Sequence, residues 1–125
     1  MKPGEAIPAL ERTIELSDMV AYAGATWDWH RLHYDSDFAR KRGLEAPVVD
    51  GQMLGALMAE HALDHFGPHA VVLKLGFRLR SMVVAGETVR VEGEVSSTDA
   101  RDVTVSQRVL VGDRIAAEGT TSVRL

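Results

Sequence analysis

Between Trp27 and Tyr34 the chain reads Asp28-Trp29-His30-Arg31-Leu32-His33, a carboxylate and two imidazoles on one short stretch. A carboxylate and an imidazole five positions apart can converge on one water or one substrate proton if the backbone between them makes a tight turn. Histidine is the side chain whose ordinary pKa lies nearest neutrality, so Asp28 with His33 is a general acid/base arrangement. The alternative for such a pair is a loop carboxylate beside a surface imidazole, and the elements around it give the chemical reading its weight. Asp28, His30 and His33 can also be read as three metal ligands. His61, His65 and His69, spaced by four, could line one helix face. Gly67-Pro68 breaks that helix before His69, so a partly exposed polar face is the expectation there.

The elements that must position the pair are legible from periodicity. Arg12-Thr13-Ile14-Glu15-Leu16 alternates as a short strand would. Ser17 is placed to cap a short helix over 18–23, with Asp18 against the helix dipole and Gly24 as its stop. The 28–33 stretch therefore falls on a loop just past a helix end. Ser36 is placed to cap a second short helix through Arg42, closed by Gly43. Pro47 favours extended backbone and Asp50-Gly51 a turn.

From Gly51 to Phe66 the pattern is a helix. Met53, Leu54, Leu57, Met58 and His61 share one stripe, while Gly51, Gly55, Ala56 and Ala59 leave part of the surface thin enough for close approach. Beyond Gly67-Pro68 the period becomes two. Leu73, Leu75, Phe77 and Leu79 alternate with Lys74, Gly76, Arg78 and Arg80, and three further alternating runs follow around Val91, Val105 and Val123, with Gln107 as an interruption. Four consecutive strands joined by short turns predict an antiparallel meander with one apolar helix over a face, an α+β fold.

With 125 residues, 46% hydrophobic and 26% charged, the chain has the composition of an ordinary globular protein and is expected to form a single domain, residues 1–125. A net charge of −4 gives no reason to expect nucleic acid or an anionic membrane as a partner. The absence of cysteine excludes disulfides and thiolate chemistry. Met1-Lys2-Pro3-Gly4-Glu5 lacks the apolar core of a signal peptide and no apolar run approaches a membrane span, so a cytoplasmic location is expected.

An early strand, a long apolar helix and a run of antiparallel strands resemble the hot-dog fold, a curved antiparallel sheet wrapped around a central helix. The motif residues are similar to those of the MaoC-like dehydratase and (R)-specific enoyl-CoA hydratase family. Its signature runs approximately G-D-x-N-P-x-H, an acidic residue, an F-A segment, a glycine, and H-G-M-L opening the helix. Here the matching residues are Trp27-Asp28-Trp29-His30-Arg31-Leu32-His33, Asp35, Phe38-Ala39, Gly43 and Asp50-Gly51-Gln52-Met53-Leu54. The later segment Leu73–Met82, with Val84-Ala85-Gly86-Glu87-Thr88 after it, resembles the family's R-F-x-x-P-V-x-x-G-D-x-L. The chain departs at Trp27, His30 and Arg31, where the signature has Gly, Asn and Pro, and at Asp50, where it has His.

The resemblance implies hydration of a trans-2-enoyl thioester to the 3R-hydroxyacyl thioester, or the reverse dehydration. Asp28 and His33 would be the catalytic pair and the Gly51 backbone N–H the oxyanion donor. His30 and Asp50 would be supporting residues, and Trp29, Met53 and Leu54 would lie against the substrate, with core packing the competing role for the last two. It implies no metal and no redox cofactor, the substrate itself carrying CoA or the pantetheine of an acyl-carrier protein. It also implies a homodimer, or a heteromer with a second hot-dog chain. The altered signature keeps two rivals in view: one half of a heteromeric hydratase, for example on steroid side-chain CoA esters, and a non-catalytic acyl-binding subunit. A hot-dog thioesterase would need a carboxylate on the central helix, where Glu60 and Asp64 come late.

Overall fold

In the computed structural model, which describes residues 1–125, the strands are β1 (Ala6–Thr13), β2 (Val71–Leu79), β3 (Thr88–Asp99), β4 (Asp102–Val111) and β5 (Arg114–Arg124). The helices are α1 (Leu16–Thr26), α2 (Ser36–Lys41) and α3 (Gly51–Phe66). All pairings are antiparallel, in the order β1-β3-β4-β5-β2. The sheet curls around α3, and every strand pairing carries a register shift that lets the sheet bend.

The alternation of the sequence becomes the two faces of this sheet. Val89, Val91, Val95, Val103, Val105, Val109, Ala117 and Val123 are buried. From α3 come Leu54, Leu57, Met58 and Ala62, also buried. Each large aliphatic side chain removed from water in this way contributes roughly 1.5–3 kcal/mol. The opposite face carries exposed pairs such as Arg90–Glu92 and Arg124–Asp102, which add little stability individually.

The core also contains polar atoms, and they close on themselves. Gln107 donates from Nε2 to the Met58 carbonyl (2.8 Å) and to His61 Nδ1 (2.9 Å), and its Oε1 accepts from the Thr121 hydroxyl (2.6 Å). His61 Nε2 in turn donates to the Pro8 carbonyl (2.9 Å). No buried side-chain nitrogen or oxygen lacks a partner. His61 is only 2% exposed, so the expected partly exposed histidine face is corrected at this position. His65 and His69 do lie in the open. Gln107 interrupts the strand pattern because it is His61's partner.

Other expectations shift for local reasons. The first strand is Ala6–Thr13 rather than 12–16. Pro8 hides it in the sequence, yet an edge strand tolerates proline at a bulge, here between Ile7 and Leu10. The first helix begins at Leu16 behind Glu15, whose N–H donates to Asp18 Oδ2 (2.9 Å), and runs through Gly24 to Thr26. It stops at Trp27, which adopts φ 58°. The second helix is capped by Asp35 rather than Ser36, its Oδ1 accepting from Phe38 N–H (3.1 Å).

The four-strand meander is also corrected. β3, β4 and β5 form one, but β2 crosses to the far side and pairs with β5. The link from β2 to β3 is too long for a tight hairpin. It lays Val83 into the core and pairs Val84 with Val48 before entering β3.

Candidate active site

The loop after α1 owes its shape to its own polar side chains. Trp27, in the left-handed region, reverses the chain. His30 then caps a single 3-10 turn, Arg31–His33, its Nδ1 accepting from Leu32 N–H (3.1 Å). His30 N–H donates to Asp28 Oδ1 at 3.4 Å, a long contact that nonetheless ties the start of the turn to the carboxylate. Arg31 binds Asp35 through Nε and Nη2, and Phe38 lies beneath Arg31 and Arg42 at 4.9 and 4.5 Å. The tight turn needed to bring Asp28 and His33 together is therefore built by the residues between and just after them.

That loop is sewn to the segment leading into α3. Val48 N–H donates to the Leu32 carbonyl (2.9 Å), and His33 Nδ1 bonds the Val48 carbonyl (2.7 Å). On its other side the segment is held by Val49 N–H to the Val83 carbonyl (2.7 Å) and by the Val48–Val84 bridge. A carbonyl only accepts, so His33 Nδ1 carries the hydrogen and a neutral ring leaves Nε2 with its lone pair.

The stitching delivers a third group. Asp28, His33 and Asp50 present a carboxylate oxygen, a ring nitrogen and a second carboxylate oxygen within 4.8 Å of one another, all three residues half-buried. The metal trio read from the sequence, Asp28 with His30 and His33, is not assembled, because His30 spends Nδ1 on the turn. Among clustered donors it is Asp28, His33 and Asp50 whose geometry could hold a cation.

Asp50 caps α3, its Oδ1 accepting from Gln52 N–H (3.0 Å), while Met53 N–H bonds the Asp50 carbonyl. The Gly51 N–H has no acceptor within the chain. It sits at the positive end of the α3 dipole, directly after the residue whose carboxyl meets Asp28.

The two carboxyl groups are driven apart. Burial raises the Asp50 pKa, with the facing Asp28 adding to the rise. A hydrogen bond with Asp50, followed by the His30 N–H, lowers that of Asp28. Tyr22, on α1, is raised by burial and by both carboxylates. Asp50, expected as a supporting residue, is a full member of the cluster, and Tyr22 as its neighbour escaped the sequence reading. The only signal for Asp50 was its place before the helix glycine.

Beside the α3 N-terminus opens an apolar cleft of about 250 Å³, lined by Val49, Gly51, Leu54, Leu79, Met82 and Val83 among others. The thin face of α3 is not free for a ligand. A Cβ at Gly51 would strike Leu79, and one at Gly55 would strike the Phe77 ring, so β2 already fills it. Leu54 is buried in the core but reaches the cleft, and Met53 packs half-buried on the core. Trp29 is 43% exposed, edge-on to Trp27 and Tyr34.

Known proteins share this fold. A 3-oxo-4,17-pregnadiene-20-carboxyl-CoA hydratase beta subunit of Mycobacterium tuberculosis (strain ATCC 25618 / H37Rv) is 29% identical over 97% of this chain and 95% of its own length. A mitochondrial 3-hydroxyacyl-[acyl-carrier-protein] dehydratase of Arabidopsis thaliana is 33% identical over 62% of this chain, and the match spans 46% of that relative's length. Among solved structures, a chain of the ChsH1-ChsH2 complex from Mycobacterium tuberculosis superposes with a TM-score of 0.93 at 25% identity, covering 99% of this chain and 98% of that one. The family model described as MaoC like domain matches residues 1–119, and the chain belongs to that family of hot-dog hydratases and dehydratases.

Proposed function

We propose that the chain is a hydro-lyase that adds water to a trans-2-enoyl thioester, giving the 3R-hydroxyacyl thioester, and that it uses no metal or redox cofactor. The observation that carries this reading is the convergence of Asp28 and His33 beside the unpaired N–H of Gly51, in a chain of the MaoC-like family. Water is held between Asp28 and His33, and His33 Nε2, the nitrogen left free by the bond to Val48, takes its proton. The thioester oxygen gains charge as C3 is attacked and is met by the Gly51 N–H at the helix dipole's positive end. The acyl chain enters the cleft along Leu79 and Met82, and the thioester carrier is CoA or an acyl-carrier protein.

The functional unit in this reading is a cytoplasmic pair of hot-dog chains. The outer strand β2 shows Val71, Leu73 and Leu79 to solvent, with Met82 just beyond, and Trp27 is 80% exposed. A second copy is the simplest partner. The beta-subunit and two-protein-complex relatives favour a different hot-dog chain as the alternative, in which this chain supplies one half of the enzyme.

The test is loss of enoyl absorbance with short, medium, branched and steroid-like trans-2-enoyl-CoA substrates, followed by chiral analysis of the product. Turnover to the 3R alcohol, unchanged by a chelator, is expected. No turnover with any of these, alone or with a second hot-dog chain, would overturn the reading, and dependence on added zinc would overturn its metal-free part.

A further inference from the structure

Most charges on the outward face of the sheet are answered within the chain, as Arg90 is by Glu92 and Arg124 by Asp102. Two on β2 are not. Lys74 and Arg78 are exposed, and neither has an acidic group within ion-pair distance. They share a face because the alternate residues Leu75 and Phe77 turn to the core. Gly76 faces outward between them, and a Cβ added there would meet nothing.

Around these two cations the sheet forms a groove of about 630 Å³. Its floor is made of small residues, since the register sets Gly76 opposite Thr120 and Thr120 opposite Ser106, both exposed. Its charged lining is Lys74, Arg78, Arg108 and a single acid, Glu118. Glu118 stands between Arg78 and Arg108 in register, but it already accepts from Arg80 Nε at 2.8 Å. Arg108 reaches Glu92 only at 3.4 Å, and Glu92 also holds Arg90 at 3.0 Å. A basic groove thus lies open on a chain whose net charge is −4.

The spacing of the cations selects the occupant. Four strand residues separate Lys74 from Arg78, a backbone distance of about 13 Å. A single small anion would have to draw both long side chains inward over Gly76, at a cost in their rotamer freedom. Carboxylates two turns apart on an α-helix, about 11 Å along its axis, meet the two cations without that convergence. The turn between them then lies over the Thr120 and Ser106 hydroxyls.

We propose that this groove is a docking site for the acidic face of a helix from a second protein, held by Lys74 and Arg78 at its ends and by hydroxyls between them. Chains joined at the open β2 edge pair through backbone groups in the plane of the sheet, so the outward face stays free for such a partner. The negative charge of the rest of the chain repels an acidic helix from other faces and steers it to this one.

The test uses the full chain in its native assembly and a fluorescein-labelled helical peptide with glutamates at i, i+4 and i+7 along one face. Fluorescence anisotropy should give saturable binding that weakens as salt screens the charges. The same peptide with glutamine at those positions should not bind. Lys74→Gln and Arg78→Gln should each weaken binding about tenfold. Lys2→Gln with Lys41→Gln, exposed cations outside the groove, should leave it unchanged. The double reversal Lys74→Glu with Arg78→Glu should lose the acidic peptide and bind its lysine counterpart. Absence of saturable binding, or equal losses in the groove and control variants, would overturn the proposal. Displacement of the peptide by adenosine 3′,5′-bisphosphate at equal concentration would assign the groove to a small phosphorylated ligand. Arg78-dependent binding to phosphatidylserine vesicles in preference to the peptide would assign it to a membrane surface, and either result would overturn the docking of a helix.

Discussion

At the scale of single residues, the bond from His33 Nδ1 to the Val48 carbonyl determines which nitrogen faces the cluster. Nitrogen-15 spectra should therefore show His33 in the Nδ1–H tautomer when neutral, and an Nε2–H ring would remove it from the role of base. His30 acts through the backbone. An His30→Ala variant loses the cap on the 31–33 turn and should lower stability by about 1 kcal/mol, with a loss of kcat because Asp28 and His33 are no longer held in register. An His30→Asn variant, which retains a short acceptor for the Leu32 N–H, should recover most of both. Recovery of stability without recovery of rate would assign the imidazole a chemical task of its own.

At the scale of elements, much was legible because the patterns were strong and local. The α3 helix runs from Gly51 to Phe66 as its apolar stripe and the flanking glycines indicate. The alternating valines became strands. The partner of β2 was not legible, since sheet order is decided by long-range pairing that alternation does not encode. The convergence of Asp28 with His33 was legible from the spacing, but Asp50 was not, because its approach depends on the Val48 segment docking against the loop. The Gln107–His61–Thr121 network was likewise hidden, each member reading as a lone polar residue in an apolar run. Two positions, Gly119 and His61, test this packing. Gly119 lies so close to β2 that a Cβ would strike the Gly76 carbonyl and Phe77 Cα, so Gly119→Ala should destabilise the chain by more than about 1 kcal/mol, read from denaturant midpoints. His61 accepts at Nδ1 and donates at Nε2, and protonation would turn Nδ1–H against the Gln107 amide hydrogens. Burial accordingly lowers its pKa. The unfolded chain then binds the proton more readily than the folded one. This contribution to stability is complete above the ordinary histidine pKa of about 6.5 and is lost as pH falls from there through the folded value. Melting temperatures between pH 7.5 and 5, to be compared with a His61→Gln variant (test range about neutral to mildly acidic, around the histidine pKa), should show a slope that the variant lacks.

At the scale of the whole molecule, no helix is long and apolar enough to cross a membrane. The outer edge of β2 is unpaired and carries exposed Val71 and Leu73. Open apolar edges invite association, and the cleft that runs from Gly51 past Leu79 to Met82 lies on the same side of the molecule as the end of this strand. Charges placed on the edge by Val71→Lys with Leu73→Glu should yield a monomer in sedimentation experiments. If the partner completes the cleft, KM should rise with little loss of the fold's stability. A monomeric double variant with wild-type kcat and KM would show that each chain carries a complete site. The chemistry proposed for Asp28 and His33 is tested most directly by single-turnover hydration of a trans-2-enoyl-CoA by wild type, Asp28→Asn and His33→Ala, with ligand binding measured in parallel. The account predicts that each variant folds and binds the thioester but turns it over about 10²–10⁴ times more slowly. A variant at either position that hydrates at the wild-type rate would contradict it.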